Sequence, residues 1–231
     1  QITEVKNKNN MKVGRIKMSC DDDGLNVPYP LQRSNFFYVI AGSPGSGKTN
    51  LLLSLFSKRG KFYYKMFHKI YIFSNSLHTI KKKLDLPKDQ LIHGFNEASL
   101  QKVLEIEEKD FGNLEDDECP NKILVIFDDV ISQIQKNMKG LLKLAFNRRH
   151  ISGGLSLIIT TQKLNKIPLE LRTAASGIFF FDSKNRQEID GLWKEYISLS
   201  REEFAKVLAF VFDKKHNFLY LNLEQPASKM L

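Results

Sequence analysis

Residues 36–56 read FFYVIAGSPGSGKTNLLLSLF, an apolar run, a glycine-rich loop and a second apolar run. The loop fits G-x-x-x-x-G-K-[ST], with Gly42, Gly47, Lys48 and Thr49 at the fixed positions. This arrangement demands a buried strand feeding a tight turn and then a helix, because a phosphate chain must be wrapped by backbone N–H groups. Glycine at 42, 45 and 47 lets the backbone approach closely. Lys48 is expected at the β and γ phosphates, and the Thr49 hydroxyl in a Mg²⁺ shell. Ser43, Pro44 and Ser46 within the loop, and Asn50 just after it, complete the expected nucleotide contacts. The ligand expected is Mg-NTP.

The rest of the chain alternates strand and helix patterns, which predicts an α/β fold with a mostly parallel sheet. Ile70–Ser74 reads as the second strand and Leu91–His93 as a short third. Helical spacing appears at Leu100, Val103 and Leu104. The eight acidic residues from Glu105 to Glu118 predict an exposed loop. Ile134, Met138, Leu141, Leu142, Ala145 and Phe146 predict one face of a long helix, and Gly153-Gly154 a turn. Pro168 is placed to open a short helix, Ser200 to Glu203 is a capping box, and Phe210–Phe212 with Phe218–Leu223 predicts a terminal hairpin.

Ile123-Leu-Val-Ile-Phe127 is the most hydrophobic strand and runs into Asp128-Asp129. An acidic residue at such a strand end holds Mg²⁺ in nucleotide hydrolases, and Asp128 is the candidate. Asp129 is the candidate base for the attacking water, with helix capping as its structural alternative. Gln162, beyond the strand Leu155–Thr160, stands where a polar sensor would meet the γ-phosphate. Arg148 and Arg149 end a helix, where positive charge suits the dipole, and either is also a candidate arginine finger.

Composition adds a sign. The formal charge of +9 favours polyanionic partners, and no apolar run reaches the ~18 to 20 residues of a membrane span. The two cysteines, Cys20 and Cys119, form neither a metal spacing nor a disulfide framework, which fits a reducing compartment. Residues 1–35 read as a basic N-terminal arm and 36–231 as one P-loop ATPase domain. The triple lysine at 81–83 reads as a solvated surface connection.

Together, GSPGSGKT, ILVIFDD and RRHISGGLSLIITTQ resemble the DNA-packaging ATPases of large eukaryotic DNA viruses, poxvirus-type enzymes within the FtsK/HerA superfamily of P-loop NTPases. The resemblance spans about Phe36 to Phe181 and implies a RecA/ASCE-like three-layer sandwich with an extra strand between the phosphate-loop strand and the Asp128 strand. It further implies a homo-oligomeric ring, a pentamer or hexamer, that hydrolyses ATP and drives double-stranded DNA into a preformed capsid through portal or capsid-vertex proteins. Arg149 would be the finger delivered to a neighbour. The expected location is the virion or a viral assembly site in the host cytoplasm. Asp at 129, where such proteins often carry Glu, and the additional Arg148 depart from the pattern. A cellular DNA pump, a nucleotide-binding assembly factor and a small-molecule kinase are the alternatives.

Overall fold

The computed structural model describes residues 27–58, 62–78, 86–115, 120–136 and 138–231. Seven strands form one sheet: β1 (Phe37–Ala41), β2 (Lys69–Ser74), β3 (Leu91–His93), β4 (Ile123–Asp128), β5 (Leu155–Thr161), β6 (Gly177–Phe181) and β7 (Phe218–Asn222). Their order is β3-β2-β4-β5-β1-β6-β7, and every pairing is parallel except β6 with β7. The strand β5 therefore lies between the phosphate-loop strand and the Asp128 strand, as expected.

Runs buried on both faces explain the four central strands. All residues of β1, β4, β5 and β6 are buried, which a parallel sheet covered by helices on both sides requires. The covering is lopsided. Tyr38, Ile40, Ile126, Ile158 and Phe179 face α1 (Lys48–Phe56) through Leu52, Leu55 and Phe56. The opposite face, with Val39, Val125, Leu157 and Phe180, carries α2 (Glu97–Gly112), α3 (Ile131–Ile134), α4 (Lys139–Asn147), α5 (Leu169–Thr173), α6 (Arg186–Tyr196) and α7 (Arg201–Val211).

Three local expectations are corrected. The acidic stretch from Glu105 is not a loop as far as Gly112, because α2 continues through it. Its Glu107 is buried and accepts hydrogen bonds from Lys69 Nζ at 2.9 Å and from the Tyr71 hydroxyl, so a carboxylate that reads as solvated ties the helix to β2. The long helix from Ile134 is broken into α3 and α4; Leu141, Leu144 and Ala145 stay inward, but the break shifts the helical phase and leaves Phe146 57% exposed. The C-terminal antiparallel pair exists, but its first arm is β6. Phe210 belongs to α7, whose capping box at Ser200 and Glu203 starts a helix that runs through the position expected to be strand.

Residues 27–35 lie against the sheet. Gln32 is buried and donates to Ser176 O at 2.7 Å and Asn222 Oδ1 at 3.2 Å, while its backbone N–H donates to the Tyr38 hydroxyl. Residues 1–26, and the lysines at 81–83, fall outside the described residues. Among the described residues no helix is long and apolar enough to cross a membrane.

Replacing Glu107 with Ala removes a charged acceptor from two buried or half-buried donors, and a loss of about 2 kcal/mol is expected. Urea unfolding of Glu107→Ala should show a lower midpoint with an unchanged slope; an unchanged midpoint would reduce Glu107 to a surface residue.

Candidate nucleotide site

The site sits at the carboxyl end of the parallel strands, where Ala41 of β1 pairs with Thr161 and Asp128 of β4 with Thr160. That register brings three strand ends into line. The loop leaving β1 is anchored by the Gly42 N–H donating to Thr161 O at 3.1 Å. Gly42 has no room for a side chain, since a Cβ there would come within 2.7 Å of both Phe181 Cβ and Ser46 Oγ. Gly47, at φ 113°, starts α1 in a backbone shape that L side chains rarely adopt.

What remains suits an anion. α1 begins without a side-chain cap and without an acidic residue in its first turn, so its N–H groups and positive dipole end face the loop. Ser46 Oγ is buried there with no partner. Lys48 Nζ folds back over the loop, donating to Gly42 O at 2.6 Å and Ser43 O at 3.1 Å. Its pKa is lowered by burial, against the opposing pull of Asp129 and Asp128. Leu124 and Ile126 face α1, so strand alternation puts the Asp128 carboxylate on that same side of the sheet. Thr49 and Asn50 follow in the first turn of α1.

Asp128 is buried and held from both sides. The Ser74 hydroxyl donates to Oδ2 at 2.9 Å and the Thr160 hydroxyl to Oδ1 at 2.8 Å. Thr160 Oγ1 also accepts the Asp129 N–H at 3.0 Å, so one hydroxyl fixes both aspartates. Asp129 adopts φ 52°, a left-handed shape that Asp tolerates better than most residues. Neither aspartate caps α3, whose N-cap is Val130 with no side-chain cap. The Asp129 carboxylate points instead to Gln162, whose Nε2 donates to Oδ2 at 3.0 Å. A buried carboxylate beside a Thr in the first helical turn is a donor set that suits Mg²⁺, which takes one or two protein oxygens and completes its shell with phosphate and water.

The two arginines separate. Arg148 is buried, and its guanidinium donates to Asn35 O at 2.8 Å and Ala145 O at 2.7 Å. Burial and the neighbouring Arg149 lower its pKa. Arg149 is exposed and, among the described residues, pairs with Glu224 at 3.2 Å. It precedes β5, so the seven residues of that strand at ~3.3 Å each leave it ~20 Å from its own Gln162. Glu224 follows Asn222, which pairs with the first residue of β6, and so lies at the same end of the sheet.

Reasoning from sequence missed Ser74, Thr160 and His216. The first two are hydroxyls at strand ends, visible only once the register is known. His216 Nδ1–H donates to Ser46 O at 2.9 Å from a turn 170 residues downstream.

A family model described as "Poxvirus A32 protein" matches residues 29–222. Solved structures share the fold at low identity. The DNA-packaging ATPase B204 of Sulfolobus turreted icosahedral virus aligns with a TM-score of 0.58 and 19% identity, covering 84% of this chain and 95% of that one. B204 of Sulfolobus turreted icosahedral virus 2 in complex with ATP-gammaS gives 0.52 and 20%, covering 82% and 92%. EssC (ATPases 2 and 3) of Geobacillus thermodenitrificans gives 0.54 and 18%, covering 72% of this chain and 35% of that one. Among curated proteins, none matches this sequence.

Thr160→Val keeps the shape of the side chain but removes the hydroxyl that fixes both aspartates. A 10- to 100-fold drop in phosphate release is expected, with a raised Mg²⁺ requirement, as for partners that orient metal ligands. Turnover within twofold of the parent would show that Asp128 and Asp129 need no such bridge.

Proposed function

The chain belongs to the poxvirus A32 protein family and is a P-loop ATPase, and from that premise we propose that it is the motor that translocates double-stranded viral DNA into a preformed capsid. The observation that carries this reading is the convergence of Lys48, Asp128, Asp129 and Gln162 at one end of the sheet, with the last two bonded to each other.

In this reading residues 42–50 wrap the triphosphate, and Lys48 exchanges its loop carbonyls for β and γ oxygens. Thr49 and Asp128 hold Mg²⁺, which offsets charge on the phosphate oxygens. Asp129 accepts the proton of the attacking water, and Gln162 orients that carboxylate and reads the γ-phosphate. The bond between them lets loss of the γ-phosphate be felt at the end of β5. B204 of the second Sulfolobus virus is a genome packaging NTPase solved with ATP-gammaS and AMPPCP, which supports an adenine nucleotide as the ligand here.

Arg149 lies at the opposite end of the sheet from its own phosphate loop and is weakly held, so it serves a neighbouring subunit. Arg148, spent on backbone carbonyls, keeps its helix in place instead. Site and finger at opposite ends call for a head-to-tail contact, the kind that builds a ring when its rotation closes. The charge of +9 gives a ring of such subunits a surface for the DNA backbone, read without regard to sequence. The working place is then the viral assembly site, with a capsid or portal vertex as docking partner.

Phosphate release by the purified chain should rise with duplex DNA and fall with added salt. Lys48→Ala and Arg149→Ala should each be inactive, while mixing them restores part of the activity, because a mixed ring holds contacts with one intact loop and one intact finger. Mixed rings that stay inactive would remove Arg149 from the site. DNA-independent turnover by the parent would favour an assembly factor over a motor.

A further inference from the structure

The turn between α7 and β7 lies against the phosphate loop. The β6–β7 pairing puts Phe218 opposite Phe181, so the chain entering β7 arrives at the carboxyl end of the parallel strands. The turn is pinned by Asn217 Nδ2, which donates to Val211 O at 2.8 Å and Asp213 Oδ1 at 3.2 Å. His216 holds φ 72° and donates from Nδ1 to Ser46 O. A Cβ on Gly47 would come within 3.5 Å of that ring nitrogen. Between loop and turn is an open cavity of about 380 Å³, walled by residues 43–46, Phe181, Asp182, Phe212 and the 214–217 segment. A second groove, lined by Phe210, Val211, Asp213 and Phe218, shares Lys214, His216 and Asn217 with it.

Strand order gives this cavity its direction. Asp128, Asp129 and Gln162 lie on the β4 and β5 side of β1, and the turn lies on the β6 and β7 side. A triphosphate whose terminal group faces the aspartates must leave the loop on the other side. We propose that the 212–217 turn is the nucleoside half of the ATP site, with ribose and base seated between it and residues 43–46, and with His216 as the positioning residue. This rests on the nucleotide reading above.

The chemistry of the wall agrees with that occupant. A carbonyl can only accept, so His216 carries a proton on Nδ1, which in the singly protonated tautomer leaves Nε2 as an acceptor. An acceptor suits a ribose hydroxyl or the exocyclic amine of adenine. Phe212 and the aromatic groove supply apolar surface for a base, and Lys214 and Lys215, both exposed, carry charge that favours an anionic ligand nearby. The same histidine holds a loop carbonyl and lines the cavity, so the nucleoside wall is fixed relative to the loop.

The test compares ATP with inorganic tripolyphosphate, each with Mg²⁺, by titration calorimetry on the full chain. His216→Gly is the variant, since glycine keeps φ 72° without strain, and His216→Asn is the second, since Asn also tolerates that shape. ATP binding should weaken ~10-fold while tripolyphosphate stays within about twofold, the size expected for losing one hydrogen bond and its contacts. Equal weakening of both ligands overturns the proposal and leaves His216 a strut for the loop. No weakening of either also overturns it. A parent chain that binds neither ligand sinks the phosphate-loop reading itself, an outcome that does not resemble the other two.

Discussion

The Thr160 hydroxyl is where the fold and the chemistry meet. It donates to Asp128 and accepts from the backbone of Asp129, so a single side chain on β5 fixes the two acidic groups at the end of β4. This works only because Asp128 pairs in register with Thr160. A slip of one residue along either strand would turn each side chain to the opposite face and separate the set. The buried apolar runs of β4 and β5 hold that register, and so the hydrophobic core sets the geometry of the proposed site.

The same register explains the backbone strain at the site. Asp129 sits at φ 52°, a conformation of the order of 1 kcal/mol above ordinary ones, and it persists because Thr160 traps its amide and Gln162 its carboxylate. Strain kept in place by neighbours on another strand is a form of preorganisation. It aims the Asp129 carboxylate at Gln162.

Much of this was legible in the sequence, for identifiable reasons. The phosphate loop has a fixed spacing because backbone geometry dictates it, and strands buried on both faces announce themselves as apolar runs. Asp128, Asp129 and Gln162 could be read as strand-end residues for the same reason. Glu107 could not, because its burial depends on Tyr71 and Lys69 of another element, and an acidic residue among acidic residues looks solvated. Arg148 and Arg149 are adjacent and alike in sequence. Only the carbonyls of Asn35 and Ala145 show that one is turned into the fold. Phe210 has the composition of a strand but follows a capping box, and the helix that the box starts runs past it.

The lopsided covering of the sheet bears on how such a subunit could work. One face carries α1, the helix that begins at the phosphate loop, and the other carries the helices from α2 to α7. Movement of the loop when phosphate is lost would therefore reach the core first through α1, whose Leu52, Leu55 and Phe56 are buried against that face. The link from His216 to Ser46 runs differently, joining the loop to the turn that leads into β7, and β7 ends beside Glu224, the partner of Arg149. A continuous path thus runs from the loop, along one edge strand, to the residue that holds the exposed arginine. An element joined at one end to the loop and at the other to that arginine is where the state of one site would bias the finger offered to the next.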